Sequence, residues 1–314
     1  MNVGIFYNSI STPAKYPNKV MLMDNFRDGV LANGDRVTEF KGKSLPTRKL
    51  HVGFVLGYTL ENNFRKQIIN TLRSYDIPQI FVDSNILHYA RPEHEWHRYS
   101  LNSVYPNDGV YFFNDLDQTK WETFSKYHNV TMKPWRSKGD HILILGQRPT
   151  GWNMFGNNQH NWITNTIDNI RKVSNRPIVV RMHPGDKNKH LEIAQLKKQY
   201  HDTITISNKL NIREDLHYCW CTVGYNSTPN VVSAIEGIPG YIEDPLHSWA
   251  KDVAFTDMQH LIEPLCPDRE DWIHKIANIH WSNAEVKSGK LWAAIRHYIS
   301  SSRQQTQPDL FSYL

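Results

Sequence analysis

The chain has 314 residues, 39% of them hydrophobic and 21% charged, with 10 Trp, 15 Tyr and 12 Phe, a profile of two ordered domains that excludes disordered and collagen-like chains. The longest apolar runs, as around Ile142–Leu145, fall far short of the roughly 18 residues of a membrane span, and MNVGIFYNS carries no basic leader pattern, so a soluble, cytoplasmic protein with no membrane partner is expected. The net charge of +5 is uneven: residues 1–139 hold 18 Lys+Arg against 13 Asp+Glu, and residues 140–314 hold 18 against 18.

In chain order, Val3–Tyr7 is a short apolar run followed by polar turn residues and a helical stretch over Lys19–Ala32. Arg36, Lys41, Lys43, Arg48 and Lys49 then crowd a Gly/Pro-punctuated segment that predicts a loop, with Glu39 the one acid among them. Leu50–Leu56 leads through Gly57 into Asn62–Ser74, where Phe64, Ile68, Ile69 and Leu72 recur at helical spacing. Ile80–Val82 and Val110–Phe113 predict further strands, separated by an aperiodic segment rich in His, Tyr, Trp and Arg. KPWRSKGD (Lys133–Asp140) is the composition break that marks a linker.

The pattern then restarts. HILILG, PIVVRMHP, TITIS, HYCWCTV and GYIED read as strands, with helices over Trp162–Val173, Leu191–Tyr200 and Thr228–Glu236 between them. Leu291–Ser301 reads as a last helix. Strands alternating with helices give an α/β class with two doubly wound, Rossmann-like domains, residues 1–139 and 140–290, facing a central cleft. Residues 291–314 form a C-terminal helix expected to pack back across the junction. Cys219 and Cys221, one residue apart in a strand, are expected on one face as buried thiols; no second pair completes a zinc site.

Three strand ends carry the candidate chemistry. Gly146-Gln147-Arg148-Pro149-Thr150-Gly151 offers a phosphate loop, and Arg181-Met182-His183-Pro184 can point a cation and an imidazole to one side. Gly224-Tyr225-Asn226-Ser227-Thr228-Pro229 opens a helix whose first N–H groups suit an anion, and Glu236-Gly237-Ile238-Pro239 ends it. Parallel strands should bring these loops to one carboxyl edge.

Strand, polar turn, helix and Glu-Gly-x-Pro together resemble the nucleotide-sugar donor site of GT-B glycosyltransferases, and the x-His-Pro after a strand resembles relatives that act on surface polysaccharides. The resemblance covers about residues 140–302. It implies a donor domain in which Gly146, Arg148, Arg181, His183, Tyr225, Asn226 and Ser227 hold the diphosphate side of a UDP-sugar and Glu236 the ribose. The N-terminal half, which resembles only the general GT-B pattern, would hold the acceptor, with Asp24 or Glu93 as the general base of an inverting transfer.

The acceptor half interleaves aromatics with cations around Arg91, Trp96 and Arg98, a mixture that suits stacked bases and phosphates. With the basic Arg36–Lys49 segment, it makes double-stranded DNA the expected partner. The chain is similar to phage glycosyltransferases that place glucose or arabinose on 5-hydroxymethylcytosine. A capsular or lipopolysaccharide acceptor is the alternative, and a non-catalytic nucleotide-sugar or nucleic-acid binding module a further one. Asp115-Leu116-Asp117 could be the metal-binding Asp-x-Asp of a different glycosyltransferase class, and His88, His94 and His97 lack a ligand pattern. No divalent metal is expected, and no cofactor beyond the donor.

Overall fold

The computed structural model describes residues 1–10, 15–57, 63–89, 95–148 and 154–305. Its strands are β1 (Asn2–Phe6), β2 (Arg36–Phe40), β3 (Val52–Leu56), β4 (Gln79–Ser84), β5 (Trp96–Leu101), β6 (His141–Leu145), β7 (Ile178–Arg181), β8 (Ile204–Ile206), β9 (Cys219–Gly224), β10 (Gly240–Ile242) and β11 (His280–Ser282). Its α-helices are α1 (Pro17–Ala32), α2 (Asn63–Ser74), α3 (Lys120–His128), α4 (Gln159–Val173), α5 (Lys189–Tyr200), α6 (Ile212–Asp215), α7 (Thr228–Ile235), α8 (Glu270–Asn278), α9 (Asn283–Lys287) and α10 (Lys290–Gln305). The first of two compact units comprises residues 1–85, 93–120 and 274–314, the second residues 86–92 and 121–273.

The first unit is a six-stranded sheet of order β11-β5-β4-β3-β1-β2. β2, β1, β3 and β4 run parallel, and β5 and β11 each pair antiparallel with their neighbour. All five residues of β3 are buried, as a parallel strand covered on both faces requires. The return of residues 274–314 to this unit was not legible in the local pattern, because β11 is three residues long and pairs with β5 some 180 positions earlier. Trp292 on α10 is fully buried and donates Nε1–H to Asp35 at 2.8 Å. Gly29 on α1 lets the Val286–Gly289 turn come close: a Cβ there would stand 2.2 Å from the Val286 carbonyl oxygen.

The second unit is a five-stranded, all-parallel sheet of order β10-β9-β6-β7-β8. Numbered from its own first strand this is 5-4-1-2-3, the doubly wound nucleotide-binding order, which reverses between β6 and β9. In β6, Ile142 and Ile144 join a core with Trp162, Ile163 and Leu196, whereas Leu143 and Leu145 join another with Leu216 and Val232. Helices therefore cover both faces, and the sheet itself is open at its strand ends.

Several expectations are corrected here. The KPWRSKGD segment is no linker: Lys133 N–H donates to Ile235 O, Arg136 N–H to Gly237 O and Asp140 N–H to Tyr218 O, all inside the second unit. Val110–Phe113 forms no strand; Val110 makes a single antiparallel bridge with Leu101. A register shift against His141/Ile142 places Cys219 and Cys221 in different cores, so the two thiols do not share a face. Burial pushes the Cys219 thiol up to about 12, so it is an inert core group. Asp117 accepts from Thr119 N–H and Oγ1–H at the entry to α3, a local turn, and no metal-binding group of three or more His, Cys, Asp or Glu exists among the described residues. No described helix is long and apolar enough to cross a membrane.

The close crossing at Gly29 gives a direct check on the rebuilt boundary. Gly29→Ala overpacks α1 against the 286–289 turn and should cost about 1–3 kcal/mol in denaturant unfolding. Unchanged stability would mean that the C-terminal segment does not pack there.

Candidate functional site

At the carboxyl edge of the second sheet, Leu145 of β6 stands in register with Gly224 of β9 on one side and Arg181 of β7 on the other. The loops leaving these strands meet there. Gly146 continues the ladder by donating its N–H to Arg181 O at 2.8 Å. Gln147 donates to Asn226 Oδ1, and Asn226 Nδ2 donates to Asp244 Oδ2 at 3.1 Å. Asn226 thus ties the loops after β6, β9 and β10 together. His247 Nδ1 lies 2.8 Å from the same Asp244 oxygen.

His183 and Arg148 form the electropositive part of this edge. Gly185 donates its N–H to His183 Nδ1 at 3.0 Å, which leaves Nε2 as the ring's N–H donor. A Cβ on Gly185 would stand 2.5 Å from an Arg148 guanidinium nitrogen and 3.2 Å from His183 Cε1, so glycine is what lets the guanidinium and the imidazole close over that turn. Burial, and after it the Arg148 cation, push the His183 imidazole below its ordinary value against the opposing pull of Asp186. His183 is therefore a neutral hydrogen-bond donor at pH 7.

The start of α7 differs from a generic anion site. Ser227 is the N-cap, yet its side chain makes no capping bond, so its hydroxyl is not spent on the helix. Pro229 has no N–H, and Asn230 N–H turns back to Ser227 O at 3.0 Å. Among the described residues, the donors left at that end are those of Ser227 and Thr228. Gly224 makes room for the buried Asn230: a Cβ at 224 would stand 1.9 Å from Asn230 Oδ1.

Two expected donor residues have other duties. Arg181 pairs with the buried Asp215 and also donates to Lys209 O and Leu210 O at 3.0 Å each. It braces the segment after β8, and Asp215 is in turn held by Ser207 Oγ–H at 2.6 Å. Glu236 stands at the far end of α7, paired with Lys133 and with Arg213 Nε at 2.8 Å. A crossover helix runs antiparallel to its strands, so eight residues at about 1.5 Å rise carry Glu236 some ~12 Å back toward the amino edge. It is not brought together with Arg148, His183 and Ser227. Tyr225 turns toward α4, where its hydroxyl accepts from Asn157 Nδ2 at 2.8 Å and Trp162 packs edge-on at 5.9 Å.

In the first unit, Asp24 on α1 accepts from Tyr7 Oη–H at 2.6 Å and Arg27 at 2.9 Å through one oxygen, and it lines a cavity of about 630 Å³. Glu93, Arg91 and His94 lie outside the described residues. Of the expected nucleic-acid residues, Trp96 and Arg98 are core groups of β5, and Arg98 is tied to Asp83 and to Ser84 O at 2.8 Å. Burial removes both from any surface that could stack a base. Arg36 is exposed on the edge strand β2 rather than in a loop, Lys41 pairs with Glu39 at 2.7 Å, and Arg48 lies over the Tyr75 ring at 4.7 Å. Lys43 and Lys49 are exposed. Counted over the observed units, the first holds 18 Lys+Arg against 14 Asp+Glu and the second 18 against 17, so most of the charge excess stays with the first.

No protein-family model matches the sequence, and no curated protein matches it. Among solved structures, the chain is similar to the beta Kdo 2,4 transferase of Thermosulfurimonas dismutans KpsC, with a TM-score of 0.58 at 13% identity over 95% of this chain and 98% of that one. The chain has the GT-B fold. The beta Kdo 2,7 transferase of the same KpsC gives a TM-score of 0.54 at 12% identity over 93% and 99%. The GT-B likeness thus extends along nearly the whole chain, including the first unit, where the sequence carried only a general pattern.

Two measurements check this geometry. Arg181→Ala leaves Asp215 buried without its cation and should destabilise the protein by about 3 kcal/mol; unchanged stability would show that the pair is not formed. The His183 ring should titrate below its ordinary value of about 6.5 in an NMR pH series. Its folded pKa being depressed, the stability contribution of the neutral ring is present above the unfolded value and declines as pH falls below it. A midpoint above about 6.5 would contradict the half-buried, cation-flanked setting.

Proposed function

We propose that this chain is a glycosyltransferase that binds a nucleotide-sugar donor at the carboxyl edge of the second unit and transfers the sugar to a saccharide acceptor. The observation that carries the reading is that Arg148 beside neutral His183, and Ser227 with a hydroxyl not spent on capping, stand on loops of one carboxyl edge that the Gln147–Asn226 hydrogen bond joins in a GT-B chain. In this reading Ser227 and Thr228 hold phosphate oxygens, and Arg148 with His183 Nε2–H stabilises the charge that develops on the departing nucleotide. UDP is the nucleotide we assign, with no metal required. Asp24 is the acceptor-side base we assign, its free oxygen taking the hydroxyl proton while Tyr7 and Arg27 fix the other.

A saccharide acceptor is supported by the likeness over nearly the full chain to two Kdo transferases. The hydroxymethylated-DNA reading, with glucose or arabinose as the sugar, rests on the exposed Arg36, Lys41, Lys43, Arg48 and Lys49, since Trp96 and Arg98 are buried. It is the second reading.

The test is a mass-spectrometric transfer assay with a panel of nucleotide sugars, offered neutral oligosaccharides, Kdo-terminated glycolipid and 5-hydroxymethylcytosine DNA. Transfer to a saccharide is expected, with His183→Ala and Arg148→Ala lowering kcat about 10²–10³-fold and Glu236→Gln leaving the donor KM unchanged. Transfer to DNA alone would replace the acceptor, and full activity in both cation-side variants would remove the donor site.

A further inference from the structure

A cavity of about 630 Å³ runs along α4 in the second unit, apart from the Arg148–His183 cluster. One wall is a row of amides: Asn158 caps α4, and Asn161, Asn165 and Asn169 follow at four-residue spacing, which stacks them on one exposed face. Asparagine is a weak helix former beside Ala, Glu or Lys, so a face that merely meets water is not expected to carry three in register. The helix gains little from them. The side-chain amides of Asn161 and Asn165 make no hydrogen bond among the described residues, and Asn169 only accepts from Lys172 Nζ at 2.8 Å.

The opposite wall is acidic and held in place. Glu243 accepts from Tyr241 Oη–H at 2.6 Å, and Asp244 is fixed by Asn226 and His247. Beside this wall stands Phe155, 48% exposed, with its ring 4.1 Å from that of His247. Its φ of 51° lies in the left-handed region, where a bulky side chain is strained and where ligand-contacting residues are over-represented. Leu246 adds a second exposed apolar surface at 57%.

Each carboxamide offers a donor and an acceptor side by side, and each carboxylate two acceptors, the pattern that adjacent sugar hydroxyls satisfy. Exposed aromatic and aliphatic surfaces suit the C–H faces of sugar rings. Among the described residues no Lys or Arg lines the cavity, and two carboxylates do, so phosphate or acidic sugars would meet repulsion. The volume is within the usual range for small-ligand sites, roughly 300–1,000 Å³.

We infer that this groove binds a neutral, hydroxyl-rich glycan. It deepens the glycosyltransferase reading, and rests on it only in taking that glycan to be part of the acceptor chain. The test is an array of immobilised neutral and anionic glycans probed with the fluorescently labelled full chain, alongside the triple variant N161A/N165A/N169A. Alanine is the better helix former at these exposed positions, so the variant is expected to fold. Neutral glycans should be retained by the wild type and at least tenfold more weakly by the variant, with UDP affinity equal in the two. Binding to no neutral glycan, preference for anionic ones, or equal binding by the variant would overturn the inference. Neutral-glycan binding by a wild type that fails to bind UDP would instead sink the donor reading and leave the groove standing.

Discussion

The pairing of β6 with β9 is the constraint on which the second unit's chemistry depends. At that seam the sheet's order reverses: the chain leaves β6 toward one side and β9 toward the other, so their loops cannot cover the strand ends. Leu145 beside Gly224 fixes how high each strand rises, and therefore where Arg148 and Ser227 begin. The Gln147–Asn226–Asp244 chain of hydrogen bonds then holds the three loops as one edge. Preorganised donors of this kind act without reorganising when charge develops.

Around this seam, charges at the edge divide by burial. Arg181 is spent on Asp215, Lys209 O and Leu210 O, so it fixes the β8–α6 segment instead of meeting a ligand. His183 is half-buried and neutral, and Arg148 is the cation beside it. Gly185 lets both approach the turn, since a side chain there would displace the guanidinium from its place beside the imidazole. The same logic of direction rather than distance removes Glu236: its helix points back toward the amino edge, where Lys133 and Arg213 neutralise it.

What was legible in the sequence was whatever local periodicity controls. HILILG, PIVVR and the runs at Val3 and Val52 form buried parallel strands, and the helices over α1, α2, α4 and α5 begin and end within a few residues of expectation. The three strand-end loops were found because polar residues follow apolar runs at those points. Features set by distant pairing were not: β11 joining β5, the 133–140 segment bound to the second unit, and the shift at Trp220 that parts the two cysteines. The cation-and-aromatic mixture around Trp96 looked like a surface because composition does not reveal burial; in the fold, Arg98 answers Asp83. The asparagine row on α4 is visible as spacing, with Asn161, Asn165 and Asn169 four apart, but a neutral polar stripe carries no sign of a ligand until the fold sets Glu243 and Asp244 opposite it.

The central claim is that the donor occupies the carboxyl edge of the second sheet. Hydrogen–deuterium exchange of the full chain with and without saturating UDP tests it most directly. Protection is predicted over residues 146–148, 183–186 and 225–228, with no change at 133–136 or 236–237. Protection centred on Lys133 and Glu236, with an unaltered carboxyl edge, would contradict it.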